Sequence, residues 1–307
     1  MRTLLIVNPN TSTAVSTQLL AVAQRAGAAW PGVGVQVAAA RFGPRYITGE
    51  VGAAVAGHAA LDAYAAYVHA APHASGGLVQ KVAQTTAPSH THTQPQPHAR
   101  TPAAVLLGCF GDPGLFALRA LSPAPVLGLA EAAMRAAALG GPFVVVTGGP
   151  AWVPMLHRLA DALALPAPMC GVQTVDRSGG ELAADPQAAA PLLAEAARQA
   201  LLRWPQAQQV LLGGAGLAGL AEPVAALLGR PVLCNVKLAL HAAFEAAAGA
   251  SAGRALATHA TTSTTGTAAA TTAATAAFPT TATAEPGPWN GLSPELSSSL
   301  LFTPAAS

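Results

Sequence analysis

Charge is in short supply in this sequence. Only 9% of its 307 residues are charged, and they leave a net charge of +2 with no basic cluster. Such a surface gives no electrostatic basis for binding nucleic acid or anionic lipid. Cysteine is equally sparse: three residues at wide spacing make neither an even disulfide framework nor a zinc-ligand pattern. Reduced thiols are expected, with no metal site. Uninterrupted apolar runs are missing as well, although apolar residues form 52% of the chain and the mean hydropathy is +0.42. Much of that excess is alanine. The most apolar helical region, 127–139, is broken by Glu131 and Arg135, and no stretch reaches the roughly 20 uncharged apolar residues of a membrane span. The first apolar run, 4–7, stops at Asn8-Pro9 and is too short for a secretory signal. A soluble cytoplasmic protein is the expectation, with the oligomeric state open and a homo-oligomer compatible with it.

What the chain does have is a phrase said twice. Residues 105–115 read Val-Leu-Leu-Gly-Cys-Phe-Gly-Asp-Pro-Gly-Leu, and 210–220 read Val-Leu-Leu-Gly-Gly-Ala-Gly-Leu-Ala-Gly-Leu. In both, the short apolar run predicts a buried parallel strand, the glycines a tight turn, and the Ala/Leu-rich sequence beyond them a helix. Two similar α/β lobes follow from this repetition. A residue just past such a strand lies in the crevice outside the carboxyl ends of an open sheet, where ligands bind. That residue is Cys109 in the first copy and Gly214 in the second.

Other strand and helix signals extend the pattern. Strands are expected at 3–7, 33–39, 125–129, 143–147, 169–175 and 231–234, and helices at 51–68, 155–163, 192–204 and 236–248. We divide the chain into lobe one, 1–122 plus 235–248, and lobe two, 123–234. Within lobe one, 72–102 turns to Pro, His, Thr, Gln and Ser without apolar periodicity and reads as a disordered insertion. Its histidines, His73, His90, His92 and His98, have no Cys, Asp or Glu nearby and do not make a metal site. Beyond Gly249 the chain becomes Ala, Thr and Ser with almost no charge, so 249–307 reads as a disordered low-complexity tail.

Candidate site residues come from the loops. Asn8-Pro9-Asn10-Thr11-Ser12 links a strand to a helix, with Thr11 or Ser12 as cap, so free backbone N–H groups point at whatever occupies the loop. The same residues also make sense as a capped turn with no ligand. Arg45, after Gly43-Pro44, would meet a carboxylate or only solvent. His58 and His69 read as ordinary helix residues, Cys170 as part of a strand, and Cys234 as a strand end next to the last helix. Gly214-x-Gly216-x-x-Gly219 spells the dinucleotide fingerprint. That reading needs an acidic residue about 20 positions on to hold the ribose, where Cys234-Asn235 stands instead.

In combination these phrases resemble the aspartate/glutamate/hydantoin racemase superfamily, most of all its hydantoin and allantoin racemase branch. The matching pieces are Leu5-Ile6-Val7-Asn8-Pro9-Asn10-Thr11-Ser12, Phe42-Gly43-Pro44, Gly108-Cys109-Phe110-Gly111-Asp112-Pro113-Gly114 and Gly128-Leu129-Ala130-Glu131-Ala132-Ala133-Met134. Further on come Phe143-Val144-Val145-Val146-Thr147, Gly213-Gly214-Ala215-Gly216-Leu217-Ala218 and Pro231-Val232. The resemblance covers 1 to about 248 without the insertion and implies two Rossmann-like lobes, with parallel sheets, facing a central cleft. It implies a small-molecule substrate, a hydantoin, allantoin or amino-acid derivative. It also implies cofactor-independent proton transfer at a carbon next to a carbonyl, between two thiols on opposite faces. By matching position Cys109 is one acid/base. Asn8, Asn10, Thr11, Phe110, Gly111, Glu131, Thr147, Gly214 and Ala215 would line the substrate site. The family's second cysteine falls at Gly214, which carries no proton, and its threonine pair has become Thr147-Gly148. Impaired or altered turnover is therefore one expectation, and a one-cysteine decarboxylase-like enzyme or a non-catalytic binding protein are the alternatives.

Overall fold

The computed structural model describes residues 1–70, 100–249 and 292–300. Two four-stranded parallel sheets form its frame. The first contains β1 (Arg2–Asn8), β2 (Val33–Ala39), β3 (Ala104–Leu107) and β4 (Val126–Gly128) in the order β2-β1-β3-β4. The second contains β5 (Phe143–Gly148), β6 (Met169–Val175), β7 (Gln209–Leu212) and β8 (Leu233–Cys234) in the order β6-β5-β7-β8. The two orders are the same. The repeated phrase thus marks a repeated lobe, with β3 and β7 as equivalent strands, and the fold is the expected two-lobed α/β arrangement.

Burial explains the strand composition. Leu4, Leu5, Ile6 and Val7 are all inaccessible, as are the four residues of β3, because helices cover both faces of a parallel sheet. Alternate residues serve different cores: Leu4, Ile6, Ala104 and Leu106 join a large cluster that continues into the second lobe, whereas Leu5, Val7, Val105 and Leu107 pack on the outer side with Ala60, Tyr64 and Leu118. Each fully buried aliphatic side chain here contributes about 1.5–3 kcal/mol.

The helices are α1 (Thr13–Gly27), α2 (Glu50–Val68), α3 (Leu115–Leu121), α4 (Leu129–Leu139), α5 (Trp152–Leu163), α6 (Gly179–Ala184), α7 (Pro186–Arg203), α8 (Ala221–Leu228) and α9 (Asn235–Gly249). The strands carry each lobe, while α4 and α9 cross between them. α4 leaves β4 of the first sheet and packs near β7 and α5, and α9 leaves β8 of the second sheet and packs on β1 and β3. α4 and α9 also lie against each other, which is why one core cluster spans both lobes.

Three expectations need correction. A division after residue 122 puts 126–128 in lobe two, but Val105, Leu106 and Leu107 pair with Val126, Leu127 and Gly128, so β4 completes the first sheet. The tail is not featureless, because Pro294–Leu300 forms a helix, α10, docked on α2. Its Leu296 is buried, Glu295 reaches Arg41 at 3.3 Å, and Ser293 hydrogen-bonds the Asp62 carboxylate. Low apolar content argued against order here, yet one buried leucine and an ion pair provide a docking point. Helix α7 begins at Pro186 and not at 192, because Asp185 accepts a hydrogen bond from the Ala188 N–H at 3.1 Å and Pro186 fits the first turn. The histidine-rich stretch and most of the tail lie outside the described residues.

Candidate active site

A cleft of about 560 Å³ opens where the carboxyl ends of the two sheets meet. Lobe one contributes Asn10, Gly108, Cys109 and Phe110, together with Tyr46, Ile47 and Thr48 from the loop before α2. Lobe two contributes Thr147, Trp152, Ser178 and the Gly213-Gly214-Ala215-Gly216 turn. The repeated strand ends therefore do face one space, and Cys109 lines it on one side with Gly214 on the other.

Glycines let the walls come together. The Phe110 ring lies against Gly213 and the Trp152 ring against Gly111, each so closely that a Cβ on the glycine would overlap the ring. Tyr46 crosses to Gly180 in the same way, with a built Cβ 3.1 Å from its ring. A bidentate pair between Arg158 and Glu50, at 2.8 and 2.9 Å, adds a surface link across the rim. Gly148 is constrained within lobe two, because a Cβ there would stand 2.5 Å from the Arg177 carbonyl oxygen. The loop at Arg177 thus occupies space that a second threonine after Thr147 would need.

The loop after β1 is ordered by Asn8. Its side-chain amide, wholly buried, donates to Asn10 Oδ1 at 3.2 Å, the Ser12 carbonyl at 3.4 Å and Ser16 Oγ at 2.9 Å. Asn10 Oδ1 also accepts the Ser12 N–H at 2.9 Å, and Ser12 caps α1 through the Val15 N–H. Asn8 consequently shapes the loop without lining the cleft, whereas Asn10 lines it. The Thr11 N–H is engaged by the neighbouring loop, donating to the Pro44 carbonyl at 3.1 Å.

Cys109 sits in an apolar nest. It is 7% exposed and clusters with Ile47 and Ala56, against which Ala53 and Trp152 pack. Burial pushes its thiol far above the ordinary cysteine range, and the nearby Asp112 charge adds to the effect. Cys109 is thereby favoured in its thiol form around neutral pH. Asp112, three residues on, is itself buried; loss of solvation raises its carboxyl to about 7, although the Ala130 and Glu131 N–H groups donate to it at 3.0 and 2.7 Å.

Of the residues anticipated for the site, the structure brings Cys109, Asn10, Phe110, Thr147, Gly214 and Ala215 to the cleft. Asn8, Thr11, Gly111 and Glu131 are not on its wall. Glu131 is buried between Arg119 and Arg135 and accepts from the Gly128 N–H, so it is an internal tether. Tyr46, Trp152 and Ser178 were not singled out from the sequence. For Tyr46 and Trp152 the best signal was a glycine at each cross-lobe contact, Gly180 and Gly111, which becomes readable only once the lobes are juxtaposed; Ser178 is the cap of α6. Cys234 joins the main core and Cys170 lies at the opposite, amino end of β6; neither lines the cleft. The glycines at 214, 216 and 219 open into a single 3-10 turn, Ala215–Leu217, with α8 beginning only at Ala221. A pyrophosphate-binding helix start does not follow them directly. Among the described residues no helix is long and apolar enough to cross a membrane, and no group of three His, Cys, Asp or Glu is placed to hold a metal.

Comparison with known proteins agrees with this fold. A hydantoin racemase from Pseudomonas sp. (strain NS671) is 33% identical over 134 residues, covering 43% of this chain and 53% of that one. A hydantoin racemase from Paenarthrobacter aurescens is 32% identical over 143 residues, covering 46% and 60%. The chain thus spans between half and three fifths of the length of these curated relatives. Among solved structures, allantoin racemase from Klebsiella pneumoniae superposes with a TM-score of 0.63 at 23% identity, covering 84% of this chain and 89% of that one. A Gly-to-Cys, Cys-to-Ser double variant of arylmalonate decarboxylase superposes at 0.53 and 16% identity, covering 81% and 94%. The family profile described as Asp/Glu/Hydantoin racemase matches residues 4–243, nearly the whole of both lobes, and the chain belongs to that family.

Proposed function

We propose that this chain is a cofactor-independent proton-transfer enzyme of the hydantoin or allantoin racemase type, with Cys109 as its one acid/base. The observation that supports this reading is a thiol on the wall of an inter-lobe cleft whose counterpart position holds Gly214. In this scheme the Cys109 thiolate takes the proton from the carbon next to a carbonyl, and the electron pair moves onto the carbonyl oxygen. Backbone N–H groups of the glycine turns stabilise the charge that develops there. Protonation from the opposite face would complete a racemisation, and Gly214 has no proton to give. Return of the proton by Cys109 to the face it came from exchanges hydrogen without inversion.

A one-thiol decarboxylation is the second reading, favoured by the protonation state of Cys109. Burial keeps the group as a thiol, a state ready to protonate a carbanion left by departing carbon dioxide. The decisive experiment incubates single enantiomers of allantoin and 5-substituted hydantoins in heavy water, following α-deuteration and optical rotation separately. Deuteration without loss of rotation, abolished in Cys109→Ser, is the expected result. Loss of rotation in step with deuteration would mean a second base reaches the substrate. Absence of both, with release of carbon dioxide from an α-disubstituted malonate, would favour the decarboxylase reading. Absence of all three points to a binding protein.

A further inference from the structure

Resting on the reading of Cys109 as the acid/base, we propose that Asp112 is its positioning residue, a clamp that fixes the Cys109 turn onto the first turn of α4. Four features support the clamp. The Asp112 N–H donates to the Cys109 carbonyl at 3.1 Å, closing the turn that carries the thiol. Its carboxylate then spans to the start of α4, accepting from Ala130 and Glu131 N–H at 3.0 and 2.7 Å. Asp112 reaches this pose with a φ of 49°, a left-handed conformation uncommon outside glycine and one that aspartate enters more readily than most residues. The seat is shaped for the carboxylate: a Cβ on Gly128 would overlap it. Because α4 packs near β7 and α5 of the other lobe, the clamp ties the thiol of lobe one to the framework of lobe two.

The second lobe lacks this device at the matching place. Strand register makes the equivalence, since Leu107 pairs with Gly128 as Leu212 pairs with Cys234. The repeated phrase sets Leu217 where Asp112 stands. A leucine and a cysteine thus occupy the positions of carboxylate and seat, so the clamp is found in the lobe that retains its thiol and is missing from the lobe that has lost it.

The charges facing Asp112 are Glu131 and Arg119, with Cys109 on its own turn, so its removal changes the field at the thiol as well as its position. Iodoacetamide alkylation of Cys109 in the full chain reads both, with Cys109→Ser defining the background from Cys170 and Cys234. In Asp112→Asn alkylation is expected to be about threefold faster than in the parent at pH 8, with the gain falling away at pH 6, because the like charge that opposes thiolate formation appears in the parent only as the Asp112 carboxyl ionises near 7. A purely structural loosening would raise the rate by one factor at every pH. Asp112→Ser, which also deletes the charge, serves if the asparagine variant does not fold. A variant-to-parent rate ratio that does not rise through pH 7 in either folded variant overturns the proposal. Alkylation needs no turnover, so a chain inert toward every hydantoin would defeat the proposed function and leave this test standing.

Discussion

Restoring the missing thiol by Gly214→Cys has a cost that can be worked out from the turn. Gly214 has φ 141° and ψ 129°, a region that L side chains rarely enter. A Cβ built there stands 3.0 Å from Leu217 Cγ and 3.2 Å from its Cδ1, a tight contact that the leucine side chain relieves by a small shift, so the strain lies in the backbone. Backbone strain of this kind costs roughly 1–3 kcal/mol. For a protein of this size each kcal/mol lowers Tm by about 2–4 °C, so Gly214→Cys and Gly214→Ala are both expected to melt several degrees below the parent, by similar amounts. The matching residue Cys109 is not among the positive-φ residues, so a cysteine at 214 can be productive only after the turn at 213–216 adopts the conformation of the first copy. Differential scanning calorimetry of both variants, paired with the heavy-water assay, separates strain from chemistry. The alanine variant should keep one-sided exchange, whereas the cysteine variant should also lose optical rotation. An alanine variant as stable as the parent would refute the strained turn. A well-folded cysteine variant that exchanges without losing rotation would refute the placement of Gly214 across the substrate from Cys109.

Other outcomes follow from burial and charge. Because the Cys109 thiol lies above its ordinary range, the thiolate fraction rises about tenfold per pH unit from pH 7 to 9, and kcat/KM for α-deuteration should climb with it; a plateau below pH 8 would contradict the apolar nest. The Asp112 carboxyl, raised to about 7, binds more protons in the folded state than in the unfolded chain between pH 4 and 7. Its contribution is therefore full below about pH 4 and lost as pH rises to 7. Denaturant melts should show that fall, on the order of 4 kcal/mol at most from three pH units, and Asp112→Asn should flatten it. Docking of α10 rests on the Arg41 fork to Asp62, at 2.7 and 2.8 Å, with Glu295 and Leu296. Both carboxyls are held below their ordinary range, so the docking is present above about pH 4 and weakens as pH falls below it. Leu296→Asp should raise hydrogen exchange along α2 at neutral pH, and equal protection in parent and variant would show that the contact carries no stability.

The sequence announced the fold wherever the chain had one job to do. Apolar runs covered on both faces could be little but parallel strands, and the doubled phrase implied doubled lobes before any coordinate was known. Side chains with two possible jobs were harder. Asn8 and Glu131 are polar residues beside the crevice, and polarity is equally suited to holding substrate or to holding backbone. Asn8 resolves to three internal hydrogen bonds and Glu131 to two arginines and an N-cap, a choice decided by which way each side chain points. Segment 294–300 misled for a different reason, since composition averages over a window and α10 depends on one buried leucine together with Ser293 and Glu295 reaching Asp62 and Arg41 far earlier in the chain. Gly148 shows the converse. Read against the family it looked like a lost hydroxyl, yet the Arg177 carbonyl already fills the space a side chain would need. Gly214 differs, because only a movable leucine side chain stands near its Cβ position, so conformation and not packing is what bars a cysteine there. Of the two glycines that thin the polar wall of lobe two, one is built into its surroundings and the other is the position where chemistry could be returned.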